Sequence, residues 1–248
     1  MKKSFRIISK KIALIFFKYF SQFLNIFDYK IIPSFVEAKS SNFKYSENSR
    51  RLIYQPSQNL FSKLIIDTSH YDSKLCEIGA RYGTNKSALN SLGHRSGYTP
   101  YYDLLFRHLK DQKILFAEIG IELNASSKMW RDFFSNADLH LFEKDTKKIE
   151  LAKKDQLNDT YYYEIDVNLK ENIRHAFRKT EKKFDIIIDD STHQFEHQIN
   201  IIHESSPFLK KGGILIIEDI FKKRKNHSEQ NYYERLQDIK KDFQKIYF

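Results

Sequence analysis

The chain is poor in the residues that mark several special classes of protein. Its 248 residues include only 7 Gly, 4 Pro and 1 Cys. So little glycine and proline excludes collagen-like and low-complexity chains. The single cysteine, Cys76, can form no internal disulfide and supplies no zinc-finger ligand set, so we expect a reducing, cytoplasmic setting. The length and the 41% of apolar residues suffice for one domain with a substantial core and an appendage.

Long uninterrupted apolar runs are also missing from the N-terminal segment. The run Ile12–Phe17 is ended by Lys18, whereas a transmembrane helix needs about 20 mostly apolar residues. No small-residue cleavage site follows, so a signal peptide is not indicated. The segment 1–35 combines its apolar residues with seven basic residues and one acid, which is typical of a basic amphipathic helix. Such a helix either lies on the inner membrane face or packs on its own domain, and both interpretations stay open.

The net charge of +10 is unevenly distributed along the chain. The segments 1–35 and 221–248 carry +6 and +4, which leaves the stretch 36–220 neutral. A nucleic-acid enzyme carries positive charge across its working face. We therefore expect a small uncharged or acidic substrate and no nucleic-acid partner, and basic ends that clamp nucleic acid are the least favoured alternative.

The patterning divides the chain into three parts. After the amphipathic segment 1–35, the segment 36–70 is polar, without clear periodicity, and is interpreted as a linker or accessory segment. In the domain 71–248, short β-rich runs alternate with stretches of helical length, which predicts an α/β fold with a Rossmann-like parallel sheet and helices on both faces. The predicted strands are Ile114–Ile119, Leu139–Phe142, Tyr161–Ile165, Phe184–Ile188 and Ile214–Ile217. The predicted helices are Lys128–Phe134, Thr146–Lys154, Leu169–Lys182, His193–Leu209 and Ser228–Lys245.

Acidic residues stand at or just after the end of every predicted strand. They are Glu118, Glu143, Asp166, the pair Asp189-Asp190 and the pair Glu218-Asp219. Ligands of parallel sheets bind at the carboxyl ends of the strands. So many acids at one edge repel each other unless cations, hydrogen-bond donors or ligands occupy it. We therefore expect the functional site at this edge.

These acids fall into two chemical groups. Glu143 is spaced to accept hydrogen bonds from a ribose diol, and Asp166 is placed to meet the polar edge of a nucleoside. His193, three residues after Asp190, is suited to take a proton from a hydroxyl group. Three hard oxygen ligands on neighbouring loops suit Mg²⁺: Asp190, Glu218 and Asp219.

Several short motifs occur in a fixed order between residues 75 and 220. They are Gly83–Lys86, His94, Tyr98–Tyr102, Glu118–Gly120, Lys128–Phe134, Phe184–His193, Gly212-Gly213 and Ile217–Asp219. In this order they resemble the macrocin-type sugar O-methyltransferases, a metal-dependent branch of the class I S-adenosylmethionine (SAM) methyltransferases. The resemblance implies a class I fold, SAM and Mg²⁺ as cofactors, and a sugar hydroxyl of a glycan or glycosylated metabolite as the acceptor.

The resemblance also implies roles for individual residues. It makes Asp190, Glu218 and Asp219 the metal ligands and His193 the base. Glu143 then holds the ribose of SAM. The remaining residues on the cofactor side are Glu118, Gly120, Asp166 and Asp189, although Asp189 is also interpretable as a structural cap.

Two features depart from the family pattern. The family has a G-x-G-x-G loop after the first strand. In this chain, Glu122 and Asn124 replace the second and third glycines of that loop, and we expect these side chains to narrow the cofactor pocket. Only 29 residues, 220–248, follow the last motif, so we expect the C-terminal part of the sheet to be incomplete. A degenerate, non-catalytic methyltransferase-like domain that binds a sugar or partner is therefore an alternative, and homo-oligomer formation stays open.

Other conspicuous side chains have simpler interpretations. His197 and His203 are interpreted as ordinary helix residues. Three aromatic residues have the i, i+3, i+4 spacing of a buried helix face: Trp130, Phe133 and Phe134. A second aromatic group either lines a pocket or packs at the surface or in the core: Tyr98, Tyr101 and Tyr102.

Overall fold

The structure is a computed structural model that describes residues 53–55, 63–68, 71–91, 96–221, 224, 226–243 and 246–247. The predicted amphipathic helix 1–35 lies outside these residues, and so does His94. In the described ranges, no helix has the length and apolar character needed to cross a membrane. The chain divides into two compact units, residues 1–71 with 247–248 and residues 72–246.

The first unit contains a short antiparallel strand pair. Strand β1 (Ile53–Gln55) pairs with β2 (Lys63–Ile65), with Tyr54 opposite Leu64. This pair lies in the segment 36–70, which the sequence analysis interpreted as a linker or accessory segment. Its polar composition gave no signal for two strands of three residues each.

The second unit is built on a five-stranded parallel sheet with the order β5-β4-β3-β6-β7. Its strands are β3 (Leu115–Ile119), β4 (Asp138–Glu143), β5 (Thr160–Glu164), β6 (Phe184–Asp189) and β7 (Leu209–Ile217). The helices are α1 (Lys74–Arg81), α2 (Thr99–Phe106), α3 (Ala125–Phe133), α4 (Thr146–Lys153), α5 (Lys170–Thr180), α6 (Phe195–Ser205) and α7 (Glu229–Arg235). The predicted α/β sheet is thus confirmed, but the predicted helix Ser228–Lys245 is too long, because α7 ends at Arg235 and a 3₁₀ turn follows at Lys240–Asp242.

Helices cover both faces of the sheet because successive strand residues point to opposite sides. On one face, Phe116 packs with the aromatic residues of α2 and α3. On the other face, Ala117 packs in a cluster that contains Phe177 of α5. The predicted core role of Trp130, Phe133 and Phe134 is confirmed, since at most 6% of each is exposed, and Cys76 is fully buried.

The strand order places a crevice between the loops that follow β3 and β6. Strand β3 has β4 on one side and β6 on the other, so the strand order reverses at β3. Parallel sheets bind ligands at such a topological switch point. The two loops touch at Gly120, whose φ is +90° and where an added Cβ would lie 2.3 Å from the Asp190 carbonyl oxygen. Asp190 N also donates to Ile119 O at 2.9 Å. Glycine at position 120 therefore permits the close approach of the two loops.

We predict that Gly120→Ala lowers the free energy of unfolding by about 3 kcal/mol, because the change adds both backbone strain and overlap with the Asp190 loop. Gly212→Ala is the matched control. Its φ is +82° and nothing lies within 4 Å of an added Cβ, so strain alone costs about 1 kcal/mol. Urea unfolding of both variants measures the difference, and equal losses would contradict the steric explanation.

Candidate active site

The carboxyl edge of the sheet opens onto a cavity of about 980 Å³, which is in the range of small-molecule sites. Its wall is formed by the loops after β3, β4, β5 and β6, by the turn 83–86, and by Asp219 after β7. The carboxyl edge, where we expected the site, therefore has a cavity large enough for a nucleoside and a second small molecule.

Three side chains converge at one side of this cavity. One ligand atom each from Asp190, His193 and Asp219 lies within 4.8 Å of the other two. His193 Nε2 is 3.8 Å from Asp190 Oδ1 and 3.6 Å from Asp219 Oδ2. The two carboxylates offer oxygen donors that fit a divalent cation, and the imidazole nitrogen lies beside them.

Two residues of this trio have an unusual backbone conformation. His193 and Asp219 both have left-handed φ angles, +56° and +54°, which are costly for residues other than glycine and cluster at functional sites. The His193 carbonyl oxygen accepts hydrogen bonds from Arg224 Nη1 at 3.3 Å and His227 Nε2 at 3.1 Å. The segment after β7 therefore helps to fix the imidazole that faces the two acids.

Glu218 does not lie with this trio, although the resemblance implied one metal-binding set for it and its neighbours. Its side chain is buried, with Oε2 at 2.6 Å from Lys86 Nζ and Oε1 accepting from the Tyr102 hydroxyl at 2.5 Å. The reason is geometric, because consecutive residues leaving a strand point in different directions and Asp219 adopts a left-handed φ. Glu218 thus faces inward, whereas Asp219 faces the cavity.

Lys86 is the cation at the centre of the acidic edge. Its ammonium group is 1% exposed and contacts Asp190 Oδ2, Glu218 Oε2 and, at 3.8 Å, Glu118 Oε1. Burial alone lowers the pKa of Lys86, but the three carboxylates outweigh burial and raise this pKa above its ordinary value. Burial also raises the pKa of Glu118 to about 7 and that of Glu218 to about 8, although Lys86 opposes both shifts. The edge therefore carries more acid groups than its buried cation neutralises.

Two tyrosines anchored at α2 complete this arrangement. The Tyr98 hydroxyl donates to Asp219 Oδ1 at 2.5 Å, and Tyr102 donates to Glu218. Burial and the neighbouring acids raise the pKa of both phenols, which keeps their hydroxyl protons in place. The sequence left these tyrosines open between lining a pocket and packing, and their hydrogen bonds to the acids were not predicted. Their i, i+4 spacing, which places both hydroxyls on one helix face, is the signal that could have found this role.

Of the five residues expected on the cofactor side, Gly120 and Glu143 line the cavity. Glu143 accepts hydrogen bonds from Ile121 N at 3.3 Å, Lys144 N at 2.8 Å and Asp145 N at 3.0 Å. These bonds connect the end of β4 to the loop after β3 (residues 120–124, here called the glycine loop) and orient the Glu143 carboxylate at the cavity wall.

The other three expected cofactor residues are not part of the cavity wall. Glu118 is fully buried and accepts from Ser126 Oγ at 2.9 Å and Trp130 Nε1 at 3.2 Å. Asp189 is 1% exposed and accepts from Ser191 N at 3.1 Å and Ser191 Oγ at 2.6 Å, and burial raises its pKa to about 7. These contacts hold Glu118 and Asp189 beneath the loops after β3 and β6, where Glu118 accepts hydrogen bonds from helix α3 and Asp189 accepts them from the loop after β6.

Asp166 contacts its own loop and the neighbouring loop after β4. Its Oδ1 accepts from Asn168 N at 3.0 Å and its Oδ2 lies 2.9 Å from Lys144 Nζ. The residues of this loop that line the cavity are Ile165, Val167 and Asn168. The surface offered by this loop is therefore mostly apolar, with the polar Asn168 at its end.

The loop after β3 has the positive φ angles that are typical of glycine, although two of the positions carry side chains. Gly120, Glu122 and Asn124 have φ angles of +90°, +44° and +64°. Asn124 is 2% exposed and points away from the cavity, since its Nδ2 donates to Asp155 Oδ2 at 2.9 Å. Glu122 is exposed and lines the cavity. The expected narrowing of the pocket therefore concerns Glu122 and not Asn124.

The two remaining histidines of α6 differ in their positions. His197, interpreted above as an ordinary helix residue, lines the cavity with Nδ1 at 2.7 Å from Thr192 Oγ1. His203 donates from Nε2 to Arg235 O at 2.9 Å and has no part in the cavity wall. The spacing of six residues places them at different ends of the helix.

Several known proteins are similar to part of this chain. No protein-family model matches the chain. Mycinamicin VI 2''-O-methyltransferase of Micromonospora griseorubida is 28% identical in an alignment of 160 residues that covers 59% of this chain and 36% of that protein. The 8-demethyl-8-(2-methoxy-alpha-L-rhamnosyl)-tetracenomycin-C 3'-O-methyltransferase of Streptomyces olivaceus is 27% identical in an alignment of 131 residues that covers 50% of this chain and 32% of that protein.

A solved structure is similar over the same domain. It is the MycE methyltransferase from the mycinamycin biosynthetic pathway in complex with Mg and SAH, with a TM-score of 0.52 and 25% identity over 61% of this chain and 40% of that chain. The chain thus spans at most 40% of the length of these three proteins. Together with the strand order, this similarity shows that residues 72–246 have the Rossmann-like fold of class I methyltransferases.

Proposed function

We propose that this chain is an O-methyltransferase that transfers the methyl group of SAM to a sugar hydroxyl with the help of a divalent cation, preferably Mg²⁺. The observation that carries the proposal is the convergence of Asp190, His193 and Asp219 beside the glycine loop, at the switch point of a class I methyltransferase sheet. The similar proteins are O-methyltransferases by name, and the MycE structure contains Mg and SAH.

The proposal assigns SAM and the cation to different parts of the cavity wall. Gly120 and Glu143 would hold SAM, with the Glu143 carboxylate accepting hydrogen bonds from the ribose hydroxyls. The apolar side chains Ile165 and Val167 would contact the adenine ring. Asp190 and Asp219 would hold the cation, which supplies Lewis acidity and charge neutralisation when it is bound.

His193 acts as the base in this scheme. Its Nε2 faces the two acids at the cavity and takes the proton of the acceptor hydroxyl. The acceptor oxygen then forms a bond to the methyl carbon while the carbon–sulfur bond of SAM breaks, which leaves the methyl ether, SAH and a protonated imidazole. Proton removal and alignment are the main contributions of the protein to this transfer.

The acceptor class is proposed from the relatives and from the polar part of the wall. A rhamnosyl group stands in the name of one relative, and a mycinamycin pathway is named for the similar structure. Asn85, Thr192 and His197 line the cavity here and offer hydrogen-bond groups to sugar hydroxyls. We therefore propose a sugar of a glycan or glycosylated metabolite as the acceptor, on the pathway to a glycosylated product or polysaccharide.

A non-catalytic methyltransferase-like domain is the second candidate. Two observations favour it, since Glu122 places a carboxylate on the cavity wall and Lys86 already contacts Asp190. SAM binding separates the two candidates, because only the enzyme requires it.

We predict that the purified full chain methylates an α-L-rhamnoside or another diol-bearing glycoside from labelled SAM and Mg²⁺, and that EDTA stops the reaction. Asp190→Asn and His193→Gln each lower kcat about 100-fold or more, because they remove a cation ligand and the base. Asp132→Asn and His203→Gln are matched controls outside the site, and both retain activity. Full activity after chelation or in Asp190→Asn would contradict the cation-dependent proposal, and no SAM binding by calorimetry would favour the non-catalytic candidate.

The loop residues generate a second prediction about SAM affinity. Glu122→Gln strengthens SAM binding about threefold, because it removes a negative charge near the carboxylate of SAM. Asn124→Gly changes SAM affinity by less than about twofold, because Asn124 points away from the cavity. Calorimetric titration measures both effects, and a larger effect at position 124 than at position 122 would contradict the orientation of the loop.

For the segment 1–35 we propose peripheral association of a cytoplasmic enzyme with the inner membrane face, on the basis of its basic amphipathic sequence alone. We predict that deletion of residues 1–35 shifts the protein from the membrane fraction to the supernatant, because the apolar and basic side chains that bind anionic lipid are lost. Fractionation of both forms at equal expression measures this shift, and an unchanged distribution would contradict the proposal.

A further inference from the structure

Lys86 has a position that the proposed reaction does not explain. It is the buried lysine among the described residues, with 1% of its surface exposed. Its backbone is fixed on both sides, because Lys86 N donates to Thr84 Oγ1 at 3.3 Å and Thr99 N donates to Lys86 O at 3.0 Å. A buried ammonium group is retained only where carboxylates compensate its lost hydration.

The carboxylates that compensate Lys86 include a proposed cation ligand. Asp190 contacts the ammonium group through Oδ2, whereas its Oδ1 faces His193 Nε2 at 3.8 Å. Glu218 lies 2.6 Å from the same ammonium group. One positive charge therefore already interacts with two of the three acids that the resemblance assigned to the metal.

We propose that Lys86 is a built-in counter-ion that holds the acids of the cavity in place and competes with the divalent cation for their negative charge. This inference rests on the proposed function. In the absence of a divalent cation, the ammonium group limits the repulsion between Asp190, Glu218 and Glu118. When a cation binds, the ammonium group repels it, so that Lys86 lowers the affinity of the site.

A purely structural role of Lys86 predicts the opposite change in affinity. If Lys86 only positions the acids, a neutral residue at position 86 releases them and weakens cation binding. If Lys86 competes, a neutral residue leaves an excess of negative charge and strengthens cation binding. The sign of the change distinguishes the two roles, and it is measured without turnover.

The experiment is a titration of the full chain with Mn²⁺, followed by electron paramagnetic resonance of free Mn²⁺. We predict that Lys86→Met binds Mn²⁺ about tenfold more tightly than the unaltered chain, because a repulsive charge near the site is gone. Lys86→Gln, which is also neutral but keeps hydrogen-bond donors, binds more tightly as well. Lys128→Met is the control, since it removes an ion-paired lysine outside the cavity, and its Mn²⁺ affinity equals that of the unaltered chain.

Thermal melting provides a second measurement for a variant with a weakened fold. Without a cation, Lys86→Met melts at a lower temperature, and Mn²⁺ raises its Tm more than that of the unaltered chain because ligand binding is linked to folding. Unchanged or weaker Mn²⁺ binding by both Lys86 variants, or a smaller Mn²⁺-induced rise in Tm, would overturn the inference alone. No Mn²⁺ binding by the unaltered chain would overturn the proposed function and the inference with it.

Discussion

The site depends on the balance between crowded carboxylates and the few groups that neutralise them. Lys86 is buried against three acids, and the phenols of Tyr98 and Tyr102 donate to two acids of the same edge. Charges of one sign at such short range repel strongly in a buried environment. The turn 83–86 and helix α2 are therefore as important to the site as the strands that carry the acids.

The fold was predictable because its signals are local. Apolar strand residues alternate with helical stretches from Ile114 onward, and acids mark the carboxyl ends of all five predicted strands. Helices α1 and α2 have eight residues each, which is only about two helical turns and too short to establish a period. They are stabilised by tertiary packing, exemplified by Tyr102 against Trp130, and such long-range contacts leave no local pattern in the sequence.

The site was predictable in composition but not in arrangement. Glu218 and Asp219 are chemically equivalent as neighbours in a sequence, and only the backbone angle of Asp219 shows that they face different sides. The same limit applies to the glycine loop. Glu122 and Asn124 suggest a blocked pocket by residue type, whereas the positive φ angles show that the backbone of a glycine loop is retained. Side-chain direction, which decides function here, depends on dihedral angles that the residue types do not specify.

The central claim is that Asp190 and Asp219 bind a divalent cation next to the SAM cavity. The most direct measurement is a crystal structure of the full chain grown with Mn²⁺ and SAH, with data collected for anomalous scattering of manganese. The account predicts an anomalous peak in coordination range of carboxylate oxygens from both residues, with SAH between Gly120 and Glu143. SAH bound without a peak at these acids, or a manganese ion bound elsewhere, would contradict it.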